Sequence, residues 1–542
     1  MSLAVACIGG GPGGLFAATL LKQQLPDAEV TVFERNRADD TYGFGVVFSD
    51  ATLAKINDAD PVLIEALREH GTHWDTIEVR LKGERIPVGG NGMAAISRKT
   101  LLSLLQARAA AQGVELRFEA EADVDDLRDR YDLVVAADGA NSRTRERFAE
   151  AFRPSVVQAS AKFIWFGTSY MFDGLTFVHK EGPHGVFAVH GYPISADVST
   201  FIVETDEETW RRAGLDSFDV TQPPGPSDEK TRRYLEELFT EEIDGQPLLV
   251  NNSRWGNFRT RRAGSWHAGN VALLGDAAHT AHFSVGSGTK MAMEDAIELA
   301  RAVAAHDKLE DALASYEAAA RPSVERIQGA ARPSLSWWEH FGRYHGAFDP
   351  TQFAFHFMSR SIGRAKLARR DPDFVAAVDA AWREAHGRDP VDTPLDLGRL
   401  TFPRRTAHIV ERGGRRYVAD PARDDVALPL REPAARRDDA VPEGRSTGGP
   451  DAPWGLWITA PETEEGLPAA ARAALAGGER PALVAVHGGT PLTRVLLAEE
   501  ARLAAGLPVA LVEEEADDDR VATLVLSGRA DLVAAPAGGS DV

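Results

Sequence analysis

The chain has 542 residues, 44% of them hydrophobic, a formal net charge of −21 and one cysteine, Cys7. At roughly 150 residues per domain, this length makes two to four domains with a sizeable core. The acidic balance disfavours nucleic acid and anionic membranes as partners, and the lone thiol excludes a disulfide framework and fits a reducing cytoplasm. No apolar run reaches the ~18 residues of a membrane span, and the N-terminus lacks the basic stretch of a secretory signal, so a cytoplasmic globular protein is expected.

In chain order, LAVACI (3–8) reads as a buried parallel strand, LFAATLLKQQ as a helix and EVTVFERN as a second strand, together a βαβ unit. SRKTLLSLLQARAAAQ (97–112) reads as an amphipathic helix with Ser97 as N-cap, and YDLVVAADGANS as another buried strand. From about 156 to 264 the texture becomes aromatic and alternating (KFIWFGTSYMF, LTFVHK, GVFAVHGYP, STFIVET), the pattern of an antiparallel sheet. NVALLGDAAH then returns to a buried strand, followed by a long helix from about Gly288. Residues 310 to 385 read as mostly helical. Residues 420 to 452, rich in Asp, Arg, Pro and Gly, read as irregular, and strand-like and helix-like segments alternate beyond them. The fold class is thus α/β: a Rossmann-like domain (1–155 and 265–335) interrupted by an antiparallel sheet (156–264), a helical segment (336–390) and a C-terminal α/β domain (391–542).

Gly9, Gly11 and Gly14 form GxGxxG between the first strand and its helix, with Gly13 inside the turn, and Glu34 ends the second strand 20 residues after Gly14. The glycines allow a tight turn and close backbone approach, the helix N-terminus meets a pyrophosphate, and the carboxylate takes ribose hydroxyls. This predicts a dinucleotide site without separating FAD from NAD. HxxH at His279 and His282 lacks a third ligand in sequence, so no metal is expected.

Two later motifs, Asp138-Gly139 after YDLVVAA and Gly275-Asp276 after NVALL, join the N-terminal fingerprint in a pattern that resembles the single-component flavoprotein aromatic hydroxylases. YGFGVVFSD, HFSVGSGTKMAMEDAIELA and RYHGAFDPTQFAFHFMSRSIGRAKLARRDP resemble the branch of that family acting on aromatic coenzyme A thioesters, and the resemblance runs over roughly residues 3 to 385. It implies tightly bound FAD, NAD(P)H as a transient reductant and O2 as co-substrate. An aromatic acyl-CoA, salicylyl-CoA foremost, is then hydroxylated para to its ring hydroxyl through a flavin hydroperoxide. Anthraniloyl-CoA, a free aromatic acid and a tryptophan-like compound are the alternative substrates, and a non-catalytic flavoprotein scaffold is the alternative of another class. A monomer or homodimer is expected.

The resemblance also assigns residues. Arg35 beside Glu34, Arg98, Asp138, Gly275, Asp276, Gly286, Gly288 and Thr289 fall at positions that hold FAD, with Asp276 on the ribityl chain. The Gly286-Ser287-Gly288 run opens a helix whose positive end faces the flavin. His282 and Phe283 stand where the family commonly has proline, on the substrate side, and His282 is the expected contact of the substrate's ring donor or of the hydroperoxide. Tyr42, Phe44 and Phe48 are expected along the ring pocket. Arg360, Arg364 and Arg369 are expected at the coenzyme A phosphates, with Arg360 and Arg364 on one helix face.

TPLDLGRLTFPRR (393–405) and residues 482 to 535 resemble parts of an old-yellow-enzyme-like FMN barrel. A complete (β/α)₈ barrel takes about 250 residues. Only 152 run from 391 to 542, and Glu513, Glu514 and Glu515 stand where a phosphate-binding glycine turn is expected. A truncated, degenerate barrel without FMN is therefore expected.

Overall fold

The run Ala4–Ile8 is the centre of a parallel sheet in the computed structural model, which describes residues 3–41, 43–49, 53–221, 225–283, 286, 288–433, 452–475 and 480–537. Ala4–Ile8 pairs with Glu29–Phe33 on one side and Leu133–Ala136 on the other. Glu115–Arg117 extends one edge and Val271–Leu273 the other, again in parallel, and His267–Ala268 finishes the sheet antiparallel. Val5, Ala6 and Cys7 are fully buried, as expected of parallel strands covered on both faces. The glycine-turn helix Pro12–Gln24 packs against Gly288–Ala305, so the two halves of the interrupted domain meet where the fingerprint and the Gly275-Asp276 motif lie.

The second sheet runs, by hydrogen bonding, Leu248–Leu249, Pro154–Thr168, Ser199–Thr205, Gly185–Pro193, Leu175–Gly182, Ile77–Leu81, Glu84–Val88, with Gly256–Ala263 also on Pro154–Thr168. The expected span of 156–264 needs correcting. The hairpin Ile77–Leu81/Glu84–Val88 joins from the first segment, and its contact with Leu175–Gly182 is parallel. A two-strand ribbon cannot bury a face by itself, so it borrows a neighbouring sheet.

This sheet has two differently built faces, because side chains alternate along each strand. Ile164, Phe166, Val178, Phe187, Val189, Phe201 and Val203 share an apolar core with Leu235 and Phe239. Phe163, Trp165, Phe177, His179, His190 and Glu204 occupy the alternate positions. Phe283 and Trp338 meet that face through ring contacts.

Residues 1–342 and 343–542 form two compact units. A helix spans Leu309–Ala347, longer than the expected helical segment at its N-terminal side. In the second unit, helices Pro350–Met358, Arg364–Arg370 and Pro372–His386 precede a closed barrel. Its strands are Thr406–Arg412, Arg415–Ala419, Ala427–Arg431, Gly455–Thr459, Leu483–His487, Val509–Val512 and Leu532–Pro536. The first three form an antiparallel meander and the rest run parallel, with Leu532–Pro536 closing onto Thr406–Arg412. The segment 391–542 is shorter than a (β/α)₈ barrel but closes all the same, because hairpins replace helical crossovers in its first half. The expected irregular region is corrected in part: Ala427–Arg431 is a strand inside 420–452, while residues 434–451 lie outside the described residues.

Candidate active site

The turn after Ala4–Ile8 sets the site. Gly9 has φ +107°, and a Cβ there would stand 2.3 Å from the Ala137 carbonyl oxygen. A Cβ on Gly14 would stand 2.1 Å from the Gly9 carbonyl oxygen, whereas one on Gly11 would meet nothing within 4 Å. Gly9 and Gly14 are thus glycine for internal packing, and Gly11 leaves open space over the helix N-terminus. That end carries no side-chain cap, with Gly11 at the cap and Pro12 opening the helix, so its first N–H groups await a partner.

Glu34 is fixed at the end of its strand. One carboxylate oxygen accepts the Gly10 N–H at 2.8 Å, and the other accepts the Asn36 N–H and Nδ2 at 2.8 Å each. Above the turn lies a cleft of about 320 Å³ lined by Gly11, Gly13, Gly14, Glu34, Arg98, Gly275, Asp276, Gly288 and Thr289, among others. A second cleft, of about 960 Å³, shares Gly11 and Glu34 and adds Gly9, Arg35, Asp138 and Asn141. Motif residues from three separate stretches therefore line two adjoining clefts that share Gly11 and Glu34.

Their charges are placed by burial. Asp276 is accessible inside the cleft yet ringed by protein atoms, and this desolvation pushes its carboxyl up, against His279, Arg98 and Arg261, which pull it down. Burial pulls Arg98 down, with Tyr192 and Asp276 opposing, and the guanidinium remains a cation. Arg98 donates from Nε to the Gly45 carbonyl at 3.2 Å and sits 5.1 Å over the Trp165 ring. Asp138 accepts the Thr144 N–H at 3.1 Å through one oxygen, and its other oxygen is buried without a hydrogen-bond partner. A glycine cradle, an uncapped helix start, a strand-end carboxylate and this orphaned oxygen fit a dinucleotide with ribose hydroxyls to donate.

Residues 282 and 283 stand beyond these clefts. His282 is 2% exposed and stacks on Phe283 at 4.3 Å between ring centres. Phe283 in turn lies 5.1 Å from Phe163 and 6.0 Å from Trp165, which also meets Arg98. Gly286 has φ +61°, which favours glycine, and a Cβ there would touch Val47. Phe44 packs against the backbone of Gly167, whose added Cβ would stand 2.7 Å from the ring. Tyr42 and Ser287 lie outside the described residues. Among the described residues no group of three or more possible metal ligands occurs.

Other expectations are corrected. Phe48 is 1% exposed, on the side of its strand that packs into the main apolar core with Val32 and Ile96. Ser97 occupies the N-cap position of Arg98–Ala111 but its side chain caps nothing. Arg360 and Arg364 do not share a helix face. Arg360 lies in the turn after Pro350–Met358, over the Phe357 ring, and Arg364 begins the next helix and donates to Asp379 at 3.1 Å. Arg369 is exposed in the same second unit. Sequence reading missed Glu204, His190 and Trp165. The one usable signal was a charged residue closing the strand-like STFIVE, directly after the apolar Phe201, Ile202 and Val203.

The profile of the FAD binding domain family matches residues 2–331. The chain is 59% identical over 539 residues to a salicyloyl-CoA 5-hydroxylase of Streptomyces sp., covering 98% of this chain and 99% of that one. It is 40% identical over 330 residues to a 3-hydroxy-4-methyl-anthranilyl (aryl-carrier protein) 5-monooxygenase of Streptosporangium sibiricum, 61% of this chain and 87% of that one. A crystal structure of 2-methyl-3-hydroxypyridine-5-carboxylic acid oxygenase shares the fold, with a TM-score of 0.52 at 22% identity over 68% of this chain and 98% of that one. The chain belongs to the FAD binding domain family, and it is an FAD-dependent aromatic monooxygenase.

Proposed function

We propose that this monooxygenase hydroxylates salicylyl-CoA para to the ring hydroxyl, consuming NAD(P)H and O2, in the cytoplasm. The observation that carries this reading is the 59% identity to the salicyloyl-CoA 5-hydroxylase, which spans nearly all of both chains and so includes the barrel unit. A hydroxyl para to the attacked carbon feeds electron density to it, so the substrate needs a ring donor that the protein can help to deprotonate.

FAD, when bound, supplies reduction by the nicotinamide and activation of O2. The residues of the chain would hold it as follows: Gly11 to Gly14 and the helix N-terminus at the pyrophosphate, Glu34 at ribose hydroxyls, Arg98 and Asp276 towards the flavin half, with the start of Gly288–Ala305 adding positive potential. The aromatic side chains of Phe163, Trp165, Phe258 and Phe283 exclude water from the neighbouring space. His282, buried among them, is the group we assign to the ring donor.

The test is product identification. Purified protein carrying FAD is given salicylyl-CoA or anthraniloyl-CoA with NADH or NADPH, and gentisyl-CoA is the expected product. Turnover of anthraniloyl-CoA alone, or of free salicylate in preference to its thioester, would overturn the substrate assignment. A His282→Ala protein that forms product without added hydrogen peroxide release would remove His282 from its role.

A further inference from the structure

We propose that Glu204, with His190 behind it, is a positioning residue that sets His282 to accept the substrate's ring proton. The proposal rests on the reading above that His282 meets the ring donor.

Glu204 is 1% exposed, His190 3% and His282 2%. One Glu204 oxygen lies 2.7 Å from His190 Nε2, and the other lies 3.7 Å from His282 Nε2, so a single carboxylate bridges two imidazoles from different segments. The strand Ser199–Thr205 is buried at every position. Its Phe201 and Val203 fill the apolar core of the opposite face, so an apolar residue would suit position 204 on packing grounds. Removing a carboxylate from water costs several kcal/mol unless it is paired. Phe163 and Ala188 flank Glu204 across the sheet, and Phe177, Phe283 and Trp338 surround His190. On the same face, His179 is stacked across Trp338, and Tyr192, two residues along the strand from His190, is a further buried titratable group.

The carboxylate acts on His282 through its charge. It stands 3.7 Å from the Nε2 edge of the ring, within ion-pair reach of it. From there it stabilises the imidazolium that forms. In the step, the ring O–H bond breaks, the proton moves to the His282 imidazole and the electron pair stays on the ring oxygen. His190 Nε2 stands 2.7 Å from the other carboxylate oxygen, on the far side from His282.

The test compares the parent with Glu204→Gln, Glu204→Asp and His190→Phe, each loaded with FAD and checked for the flavin spectrum and thermal midpoint. Salicylyl-CoA is bound without reductant and its phenolate absorbance is read. We expect the phenolate-to-phenol ratio to fall about tenfold in Glu204→Gln, the effect of one pKa unit. Glu204→Asp is expected to recover part of it, and His190→Phe to show a smaller fall. With NADH, the Glu204→Gln protein should release more hydrogen peroxide per NADH while KM for the thioester stays within about twofold. If Glu204→Gln does not fold, His190→Phe carries the comparison. An unchanged phenolate ratio in either folded variant overturns the proposal. Absence of gentisyl-CoA from the parent would overturn the substrate reading instead, leaving the binding measurement to judge Glu204.

Discussion

His279 Nε2 lies 2.7 Å from Asp295 Oδ2, and that same oxygen accepts the Gly275 N–H at 3.0 Å. Both side chains are buried, and Trp266 covers the imidazole at 4.9 Å. The pair ties the turn carrying Asp276 to the helix Gly288–Ala305, the two pieces that close one wall of the cofactor cleft. The histidine of the Gly-Asp motif is therefore a brace. Asp295→Ala would leave His279 and Gly275 unsatisfied in the interior, and breaking a buried pair costs about 3–5 kcal/mol. We expect a markedly lower thermal midpoint and faster FAD loss on dilution, with Asp295→Asn milder. Retained FAD and an unchanged midpoint in Asp295→Ala would refute the brace.

The fingerprint glycines should separate into two phenotypes. Gly14→Ala forces a methyl to 2.1 Å from the Gly9 carbonyl oxygen, so the turn itself must shift. Overpacking of this kind costs about 1–3 kcal/mol. Gly11→Ala meets nothing within 4 Å, so the fold should tolerate it, yet the methyl enters the space over the helix N-terminus. Thermal melts of the apoproteins should show Gly14→Ala destabilised and Gly11→Ala near the parent, while FAD titration should show both weakened. Equal melts for the two would contradict this division.

Local chemistry explains what the sequence could reveal. The βαβ unit was legible because strand, glycine turn and Glu34 lie within 35 residues and each has a local cause. Ala427–Arg431 was not, since a proline at its centre and acidic and arginine-rich flanks mask a strand that only barrel neighbours complete. The role of Phe48 depended on which side of its strand meets the core, and alternation alone cannot say. Glu204 lay in a strand that was read correctly, but its partners are 14 and 78 positions away, at His190 and His282. The arginine run from 360 suggested one helical face, and the turn between two helices broke it.

That run should split in mutagenesis. Arg364 is held by Asp379, 15 residues on, and this bond keeps its guanidinium above its ordinary range. Arg364→Ala should lower the thermal midpoint by a few degrees, in line with roughly 1 kcal/mol for a half-buried pair, and leave KM for the thioester unchanged. Arg369 is exposed, and if it meets a coenzyme A phosphate, Arg369→Glu should raise that KM several-fold without changing the melt. Steady-state kinetics beside calorimetry reads both, and an unchanged KM in Arg369→Glu removes it from the substrate site.

In the second unit, Glu499 sits at 1% exposure where the helix Pro491–Glu499 passes into a wider turn. Tyr344 donates to it at 2.5 Å, and His356 Nε2 stands 3.1 Å from its other oxygen. Burial, with Arg529, Arg502, Arg343 and Arg360 around it, holds His356 well below its ordinary value of 6.5. The folded protein therefore keeps this imidazole neutral, whereas the unfolded chain takes up a proton as pH falls through 6.5. Below that pH the unfolded state binds more protons than the folded one, so stability rises with pH up to about 6.5 and is lost as pH falls beneath it. His356→Gln retains an amide N–H for Glu499 and has nothing to titrate. Calorimetric melts between pH 7.5 and 5 should show a thermal midpoint that falls less steeply for His356→Gln than for the parent. Parallel curves would mean that His356 takes up its proton in the folded unit over the same pH range as in the unfolded chain, and that the surrounding arginines do not exclude its charge.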